Sequence, residues 1–487
     1  MKTTSRGTDD YTEDTLVEQP AIHIFEELGW KTVTAFSESP TNCPITGRES
    51  RTEVVLLRQL KPVLEKLNPN LPEEALTHAI DELVADRSAK TIPRSNEEIY
   101  NLLKHGILVR YRGQDQEMKE ERVRFIDWDN PQNNNFLLIS QLWVEGDIYT
   151  RRPDLVGFVN GIPLVFIELK PVHENLKNAH DGNLSDYYDT IPHLFWYNGF
   201  IILSNLAESV VGTVTSSWEH FTEWKKVESE EEEAESSLET TIRGTCEPTR
   251  LLDIVENFVL FRKGKGGTEK YVARYHQYFG VNNSFKAVKN IEKNKGRLGV
   301  FWHTQGSGKS YSMVFFSQKV LRKIPGNWSF VVVTDRLELD EQIYRNFENV
   351  GAVYEPEDRV RAQSGEHLKQ LLTEDHRYIF TIIHKFRTEH GEQYPKLSDR
   401  SDIIVMTDEA HRTQYDILAG NMRDALPNAA FIGFTGTPLI VGEELTRETF
   451  GDYVSIYNFS QSVEDSATVP LYYENRVPEL QLINESF

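Results

Sequence analysis

The sequence predicts an α/β fold in two parts, a mixed sheet with helices followed by a parallel sheet built from βαβ units. Three observations predict it. Apolar strand-like runs alternate with helical stretches through the C-terminal half, the pattern of parallel strands joined by crossover helices. One strand-to-helix junction there is a glycine loop, His303-Thr-Gln-Gly-Ser-Gly-Lys-Ser310. A separate group of strand-like runs lies earlier and ends in Glu168-Leu-Lys170, cut off from the rest by residues 228–239, of which seven of twelve are glutamate. Such a stretch cannot bury apolar area and reads as a solvated boundary.

The chain has 487 residues, 39% hydrophobic and 26% charged, enough to bury a large core and to divide into two or three domains. Its formal charge of −22 excludes a surface that binds nucleic acid everywhere by counterion release, so any such site must be a local basic channel. Cys43 and Cys246 belong to no CxxC or Cys/His cluster and read as unpaired thiols, structural or exposed, rather than zinc ligands or a disulfide. The N-terminus is polar, and no apolar run approaches the roughly 18 residues of a membrane span, so the expected location is cytoplasmic.

In chain order, residues 1–20 are polar and expected to be loose, and the first domain is assigned to 21–227. It opens on a short helix, Ala21–Leu28, stopped by Gly29, followed by strands near Phe136–Val144, Asp154–Val159, Leu164–Leu169 and Phe200–Leu203. A helical stretch, Asn175–Tyr188, lies between the last two. Residues 228–250 form the acidic boundary. A second domain is assigned to 251–470, with strands at Leu298–Trp302, Phe330–Thr334, Tyr378–Ile383, Ile403–Thr407 and Phe431–Phe434.

The glycine loop supplies each part of a triphosphate site. Gly306 and Gly308 let the backbone N–H groups of Thr304 to Gly308, Ser307 among them, close around phosphate oxygens at a helix N-terminus; Lys309 reaches the β- and γ-phosphates, and the Ser310 hydroxyl ligates Mg²⁺. The general phosphate-loop pattern has a glycine where His303 stands. The strand Ile403–Met406 delivers Thr407-Asp408-Glu409-Ala410-His411 to the carboxyl edge of the sheet, where open α/β folds bind ligands. Asp408 is assigned to Mg²⁺ and Glu409 to the attacking water, so ATP and Mg²⁺ are the expected cofactors.

Asp154, Glu168 and Lys170 are the residue types that metal-dependent phosphodiester hydrolysis needs: two carboxylates for the metal and a cation to orient water and offset developing charge. Glu168 and Lys170, two apart on a strand, share a face. Whether Asp154 joins them depends on the turn at Asn160-Gly161. A two-residue turn in an unbroken ladder pairs Asp154 with Ile167 and points it away. A three-residue loop, with Gly161 left-handed in a bulge, pairs it with Phe166 and brings it to the same face. The odd-length loop is therefore expected. Arg151 and Arg152 beside this trio either hold phosphates or pair with nearby carboxylates.

Taken together, Arg152-Pro-Asp-Leu-Val-Gly-Phe-Val-Asn-Gly-Ile-Pro-Leu-Val-Phe-Ile-Glu-Leu-Lys170, the glycine loop, Asp408-Glu-Ala-His411 and the stretch Tyr457–Pro470 resemble type I restriction enzyme motor (R) subunits. The resemblance implies a PD-(D/E)xK, restriction-endonuclease-like nuclease domain followed by the first RecA-like domain of a superfamily 2 motor. It implies ATP-driven translocation along unmodified double-stranded DNA and endonucleolytic cleavage, in a complex with methyltransferase (M) and specificity (S) subunits. In that family a Gln-x-x-x-Tyr element supports the nuclease site; here the matching positions are Asn183 and Tyr187, with the shorter asparagine replacing glutamine. Glu27 on the first helix resembles an additional metal-side acid of related nucleases. Gln277 lies where such motors place an adenine-reading glutamine, with a plain surface residue as the other reading. Val333–Leu337 resembles a segment contacting the DNA backbone. Thr435 and Thr437, in Phe434-Thr-Gly-Thr-Pro438, resemble the motif coupling nucleotide state to DNA grip, with simple turn chemistry as the alternative. Residues 471–487 are expected to begin the connection to a second RecA-like domain that this stretch lacks. The rival readings are a repair nuclease–helicase fusion and a chemically silent DNA-binding scaffold.

Overall fold

The computed structural model describes residues 18–113, 116–388, 394–408, 415–437 and 443–469. Its N-terminal part is built on a seven-stranded mixed sheet, and its C-terminal part on a six-stranded parallel sheet.

Helix α1 (Gln19–Glu27) leads into β1 (Lys31–Thr34), which pairs parallel with β2 (Phe136–Ser140). A small hairpin, β3 (Val144–Glu145) and β4 (Thr150–Arg151), then carries the chain to β5 (Leu155–Val159) and β6 (Ile162–Leu169). β7 (Phe200–Ser204), β8 (Ser209–Gly212) and β9 (Thr222–Glu223) complete the sheet in the order β1-β2-β5-β6-β7-β8-β9. Every residue of β6 is buried, as expected of a central strand covered on both faces.

The β5–β6 connection corrects the expected loop. Asn160 (φ 54°) and Gly161 (φ 83°) are both left-handed, the type I′ geometry, and Val159 pairs directly with Ile162: the turn has two residues, not three. Parity is restored one step later. The ladder pairs Phe158 with Pro163 but Gly157 with Val165, leaving Leu164 as an extra residue in a β-bulge. Beyond the bulge Leu155 pairs with Ile167, so Asp154 stands opposite Glu168 on the same face.

The acidic segment also differs from a plain solvated boundary. Glu230 is half-buried; its carboxylate accepts the Ser455 hydroxyl at 2.5 Å and the Ile456 N–H at 3.4 Å, so it caps an edge of the C-terminal sheet. After it, α2 (Leu238–Cys246) and α3 (Pro248–Asn257) pack into the core, and the Trp30 indole N–H donates to the Cys246 carbonyl at 2.9 Å. Both cysteines are buried and unpaired.

A hairpin, β10 (Val259–Gly264) and β11 (Gly267–Val272), precedes helix α4 (Tyr275–Lys289). The parallel sheet consists of β12 (Arg297–His303), β13 (Ser329–Thr334), β14 (Tyr378–Ile382), β15 (Ile403–Asp408), β16 (Ala430–Thr435) and β17 (Tyr453–Tyr457), ordered β14-β13-β15-β16-β12-β17. Helix α5 (Lys309–Lys323) follows the glycine loop and is capped by left-handed Gly308. One hydrophobic core runs continuously from the first sheet through α2 and α3 to one face of the second, and a separate cluster covers the other face. Among the described residues no helix is long and apolar enough to cross a membrane.

Candidate functional site

The end of β6 and the approach to β5 bring Asp154, Glu168 and Lys170 together. Asp154 precedes β5, and its carboxylate accepts the Leu169 N–H at 2.9 Å. The Lys170 ammonium donates to Glu168 Oε1 at 3.2 Å, and Asn183 Nδ2 donates to the same oxygen at 2.6 Å. Asn183 reaches because its segment is not a regular helix: Asn175 caps a first short turn, a π-helical turn follows over Ala179–Leu184, and a second short helix runs Ser185–Thr190. Such a turn re-aims side chains and is often found at functional sites. Tyr187 is buried on the same segment, edge-on to Phe166, and burial beside the Glu168 and Asp154 charges raises its phenol above the ordinary range.

Burial and like charge act together on the two carboxyls. Glu168 is 1% exposed, and burial, reinforced by the Asp154 charge, pushes it up to about 8; burial also raises Asp154, against the Leu169 N–H and the Lys170 charge. Glu168 Oε2 is buried and accepts no hydrogen bond among the described residues. A divalent cation fits this arrangement, since it supplies the missing partner and removes the repulsion between two hard oxygen ligands. Among the described residues no group of three or more His, Cys, Asp or Glu side chains is placed to hold a metal ion, and Asp154 and Glu168 are the two carboxylates whose charges meet at this site.

Other expectations fare differently. Glu27 lies at the far end of α1, ion-paired with Arg243 and His23. The acid of this region that connects to the site is Glu18, about 13 Å away along the helix by its rise of about 1.5 Å per residue. Glu18 accepts the Gln141 side-chain amide at 2.7 Å, and Gln141 in turn hydrogen-bonds Asp154. Neither Glu18 nor Gln141 belongs to a spacing that sequence reasoning could recognise; Gln141 is marked only by its left-handed backbone, φ 54°. Arg151 is ion-paired with Asp186, which decides its two readings in favour of the carboxylate.

In the second sheet the ends of three parallel strands line up. Trp302 pairs with Thr435, and Asp408 with Phe434, so the glycine loop after β12, Asp408 and Thr435 all leave at the carboxyl edge. The loop is held from several sides: Thr304 N–H donates to the Tyr457 carbonyl at 2.9 Å, and Ser307 N–H donates to the Thr304 carbonyl at 3.2 Å. The His276 imidazole lies 3.2 Å from the Ser307 carbonyl. Gly306 (φ 85°) and Gly308 (φ 84°) are left-handed, and a Cβ on Gly308 would stand 2.7 Å from the Gln277 amide nitrogen. Lys309 Nζ donates to the His303 carbonyl at 3.1 Å, and Ser310 is partly exposed in the first turn of α5. The side chain of His303, anomalous in the sequence, is buried and lies 2.6 Å from the Ser455 hydroxyl, itself bound to Glu230.

Gln277 binds the loop itself. Its amide donates to the Gly308 carbonyl at 3.1 Å and its carbonyl accepts the Arg274 N–H at 3.0 Å, while it lines a cavity of about 360 Å³ beside the loop. Tyr271 and Tyr311, stacked at 5.2 Å, line that cavity, and so do Ser216, Ser217 and His220 from the N-terminal part. This wall was not legible in the sequence. Thr435 and Thr437 form a local turn, with the Thr435 hydroxyl donating to the Thr437 carbonyl at 3.0 Å. Glu409 and His411 lie outside the described residues.

Two families match the chain in order: Type I restriction enzyme R protein N terminus (HSDR_N) over residues 10–220, and SWI2/SNF2 ATPase over residues 276–487. The type I restriction enzyme HindI endonuclease subunit of Haemophilus influenzae is 37% identical over 485 residues, covering 94% of this chain and 46% of that protein. A Methanocaldococcus jannaschii protein, provisionally named type I restriction enzyme MjaIXP endonuclease subunit, is 32% identical and covers 97% of this chain and 47% of its own length. The chain thus spans about half the length of the curated relatives it matches. A solved fragment from Vibrio vulnificus YJ016, provisionally titled an HsdR subunit of a type I restriction enzyme, is 16% identical over 69% of this chain and 57% of that one; its TM-score of 0.28 is too low for residue-level comparison. A mixed-sheet α/β domain leads into a RecA-like phosphate-loop domain, and with these two family matches in the same order the chain belongs to the type I restriction enzyme R-subunit family.

Proposed function

We propose that this chain carries the cutting and ATP-hydrolysing centres of a type I restriction complex, joining ATP-dependent translocation on double-stranded DNA to Mg²⁺-dependent endonucleolytic cleavage. The observation that carries the reading is the placement of Asp154, Glu168 and Lys170 on one face, with a buried carboxylate oxygen lacking a partner. Bound Mg²⁺ would supply Lewis-acid stabilisation of the phosphate and an acidified water. Asp154 and Glu168 would hold it. Lys170 would orient the attacking water and offset charge developing on the phosphate, while Asn183 and Tyr187 keep the Glu168 carboxyl in position.

At the second centre the backbone of Thr304 to Gly308 and the Lys309 ammonium would cradle the ATP phosphates, with Ser310 and Asp408 on Mg²⁺. Glu409 would orient water, with His411 beside it; Gln277 would read the adenine, and Thr435 and Thr437 would pass nucleotide state to the DNA-binding edge. Val333–Leu337 would meet the DNA backbone. Methyltransferase and specificity subunits are the expected partners, since target choice needs a recognition element. Mg²⁺-dependent nicking of plasmid DNA by the chain, compared with Asp154→Ala and Lys170→Ala, tests the reading: cleavage should fall at least a hundredfold in both variants, and unchanged cleavage in either would overturn the assignment.

A further inference from the structure

The rim of the nuclease site holds side chains that phosphodiester hydrolysis does not require. Past Gln141 the chain runs through Trp143 and the β3–β4 hairpin before reaching Asp154, and the Trp143 indole N–H ties this stretch to the end of β1 by donating to the Phe36 carbonyl at 3.0 Å. The Arg152 guanidinium lies 4.9 Å from the centre of the Phe36 ring and 5.2 Å from that of Trp143; Arg51 lies 4.8 Å from Trp143. Along the same stretch apolar side chains face water: Phe36 is 59% exposed, Tyr149, whose ring lies 5.0 Å from the Arg151 guanidinium, 53%, and Ile148, at the hairpin tip, 83%.

Charge distinguishes this rim from an ordinary apolar patch. In a chain with 22 excess negative charges, Arg51 and Arg152 have no carboxylate within ion-pair distance among the described residues, and Arg51 Nε is buried without a hydrogen-bond partner. Arg151, one residue away, is by contrast ion-paired with Asp186. Arg152 is two residues from Asp154, so an anion held there abuts the carboxylate pair.

Arginines without a paired carboxylate, one of them acting on Asp154 only through its field, call for phosphates, and exposed rings along the same rim call for flat apolar faces. Duplex DNA offers phosphates but keeps its base faces stacked inside. An unpaired strand offers both, and grooves for single strands alternate cations with stacking rings in this way. We propose that this rim binds an unpaired DNA strand, with bases stacking on Phe36 and Tyr149 and phosphates on Arg51 and Arg152, and feeds its backbone to Asp154, Glu168 and Lys170. The proposal rests on the nuclease reading above and adds the form of the DNA that the site takes.

Fluorescence anisotropy with a labelled dT20 and with a blunt duplex of equal length, on the whole chain without metal or nucleotide, tests it. Phe36→Ala and Tyr149→Ala change exposed rings, and unchanged melting curves would confirm folding. Each should weaken dT20 binding about tenfold, within the range of base–aromatic stacking, and leave duplex affinity within about twofold. A 2-aminopurine strand should be quenched on binding to the parent and less so to the variants. Parent-like dT20 binding by both variants would overturn the proposal and leave the rim to a protein partner; equal losses for both DNA forms would overturn it as well. The two readings separate cleanly: cleavage by Asp154→Ala would remove the nuclease, whereas an inactive Asp154→Ala beside a parent-like Phe36→Ala would remove only the strand site.

Discussion

Metal binding at the Asp154–Glu168 pair should carry a proton-linked pH dependence. Glu168 is pushed up to about 8 by burial and by the neighbouring Asp154 charge, so near neutrality the pair retains one proton. A cation binds the deprotonated pair, and the bound proton must leave. The fraction ready to bind is then about 1% at pH 6, about 10% at pH 7 and half at pH 8, so apparent affinity should rise about 50-fold from pH 6 to 8 and flatten above. Mn²⁺ titration followed by loss of the free-ion electron paramagnetic resonance signal measures it, with Asp154→Asn subtracted to remove binding by other acidic groups. Calorimetry in two buffers of different ionisation enthalpy should show about one proton released per ion at pH 7. In Glu168→Gln the pH slope should vanish and the affinity fall. An affinity constant between pH 6 and 8, or no proton release, would refute the reasoning, because the pair would then be ionised without metal.

Further outcomes follow from other contacts. Glu230 is pushed up to about 7 by burial, above its unfolded value, so the folded chain holds a proton that the unfolded chain has lost; this contribution is full below about pH 4.5 and disappears as pH rises through 7. Glu230→Gln should therefore flatten the fall in melting temperature between pH 5 and 7.5 relative to the parent, and parallel curves would contradict it. Gly161→Ala should cost about 2 kcal/mol or more in urea unfolding, because Gly161 is left-handed and its Cβ would stand 2.5 Å from the Leu56 carbonyl oxygen. Gly182→Ala, with nothing within 4 Å of its Cβ, should be neutral or slightly stabilising in the same assay. Lys309→Ala should weaken binding of a fluorescent ATP analogue at least tenfold without changing the melting temperature by more than about 2 °C, since its hydrogen bond to the His303 carbonyl is partly exposed and contributes about 1 kcal/mol.

Local chemistry made much of the chain readable. Buried strands in the second sheet are near-continuous apolar runs, and a glycine loop between strand and helix has few other uses, so the parallel sheet and its phosphate loop follow from periodicity and spacing. Other elements were not read from the sequence: α2 and α3 directly follow the glutamate-rich run and take their place by packing on Trp30 and the surrounding core, and β17 is fixed by its ladder to β12. His303 departs from the general phosphate-loop pattern in sequence, yet Ser455 and Glu230, far along the chain in both directions, supply its partners.

The trio Asp154, Glu168 and Lys170 shows where that division falls. The residue types and the two-residue spacing of Glu168 and Lys170 are sequence properties, because strand geometry alone places i and i+2 on one side. The side on which Asp154 stands is not. Asn160 and Gly161 specify the tight turn locally, and that turn alone would have turned Asp154 away; the bulge at Leu164 reverses the parity. Its position is selected by long-range packing, with the Leu164 carbonyl accepting the Gly199 N–H at 2.7 Å and Trp30 packed close over Gly157. A strand register is a count of residues between two points, and only contacts from outside the hairpin decide where an extra one is taken up.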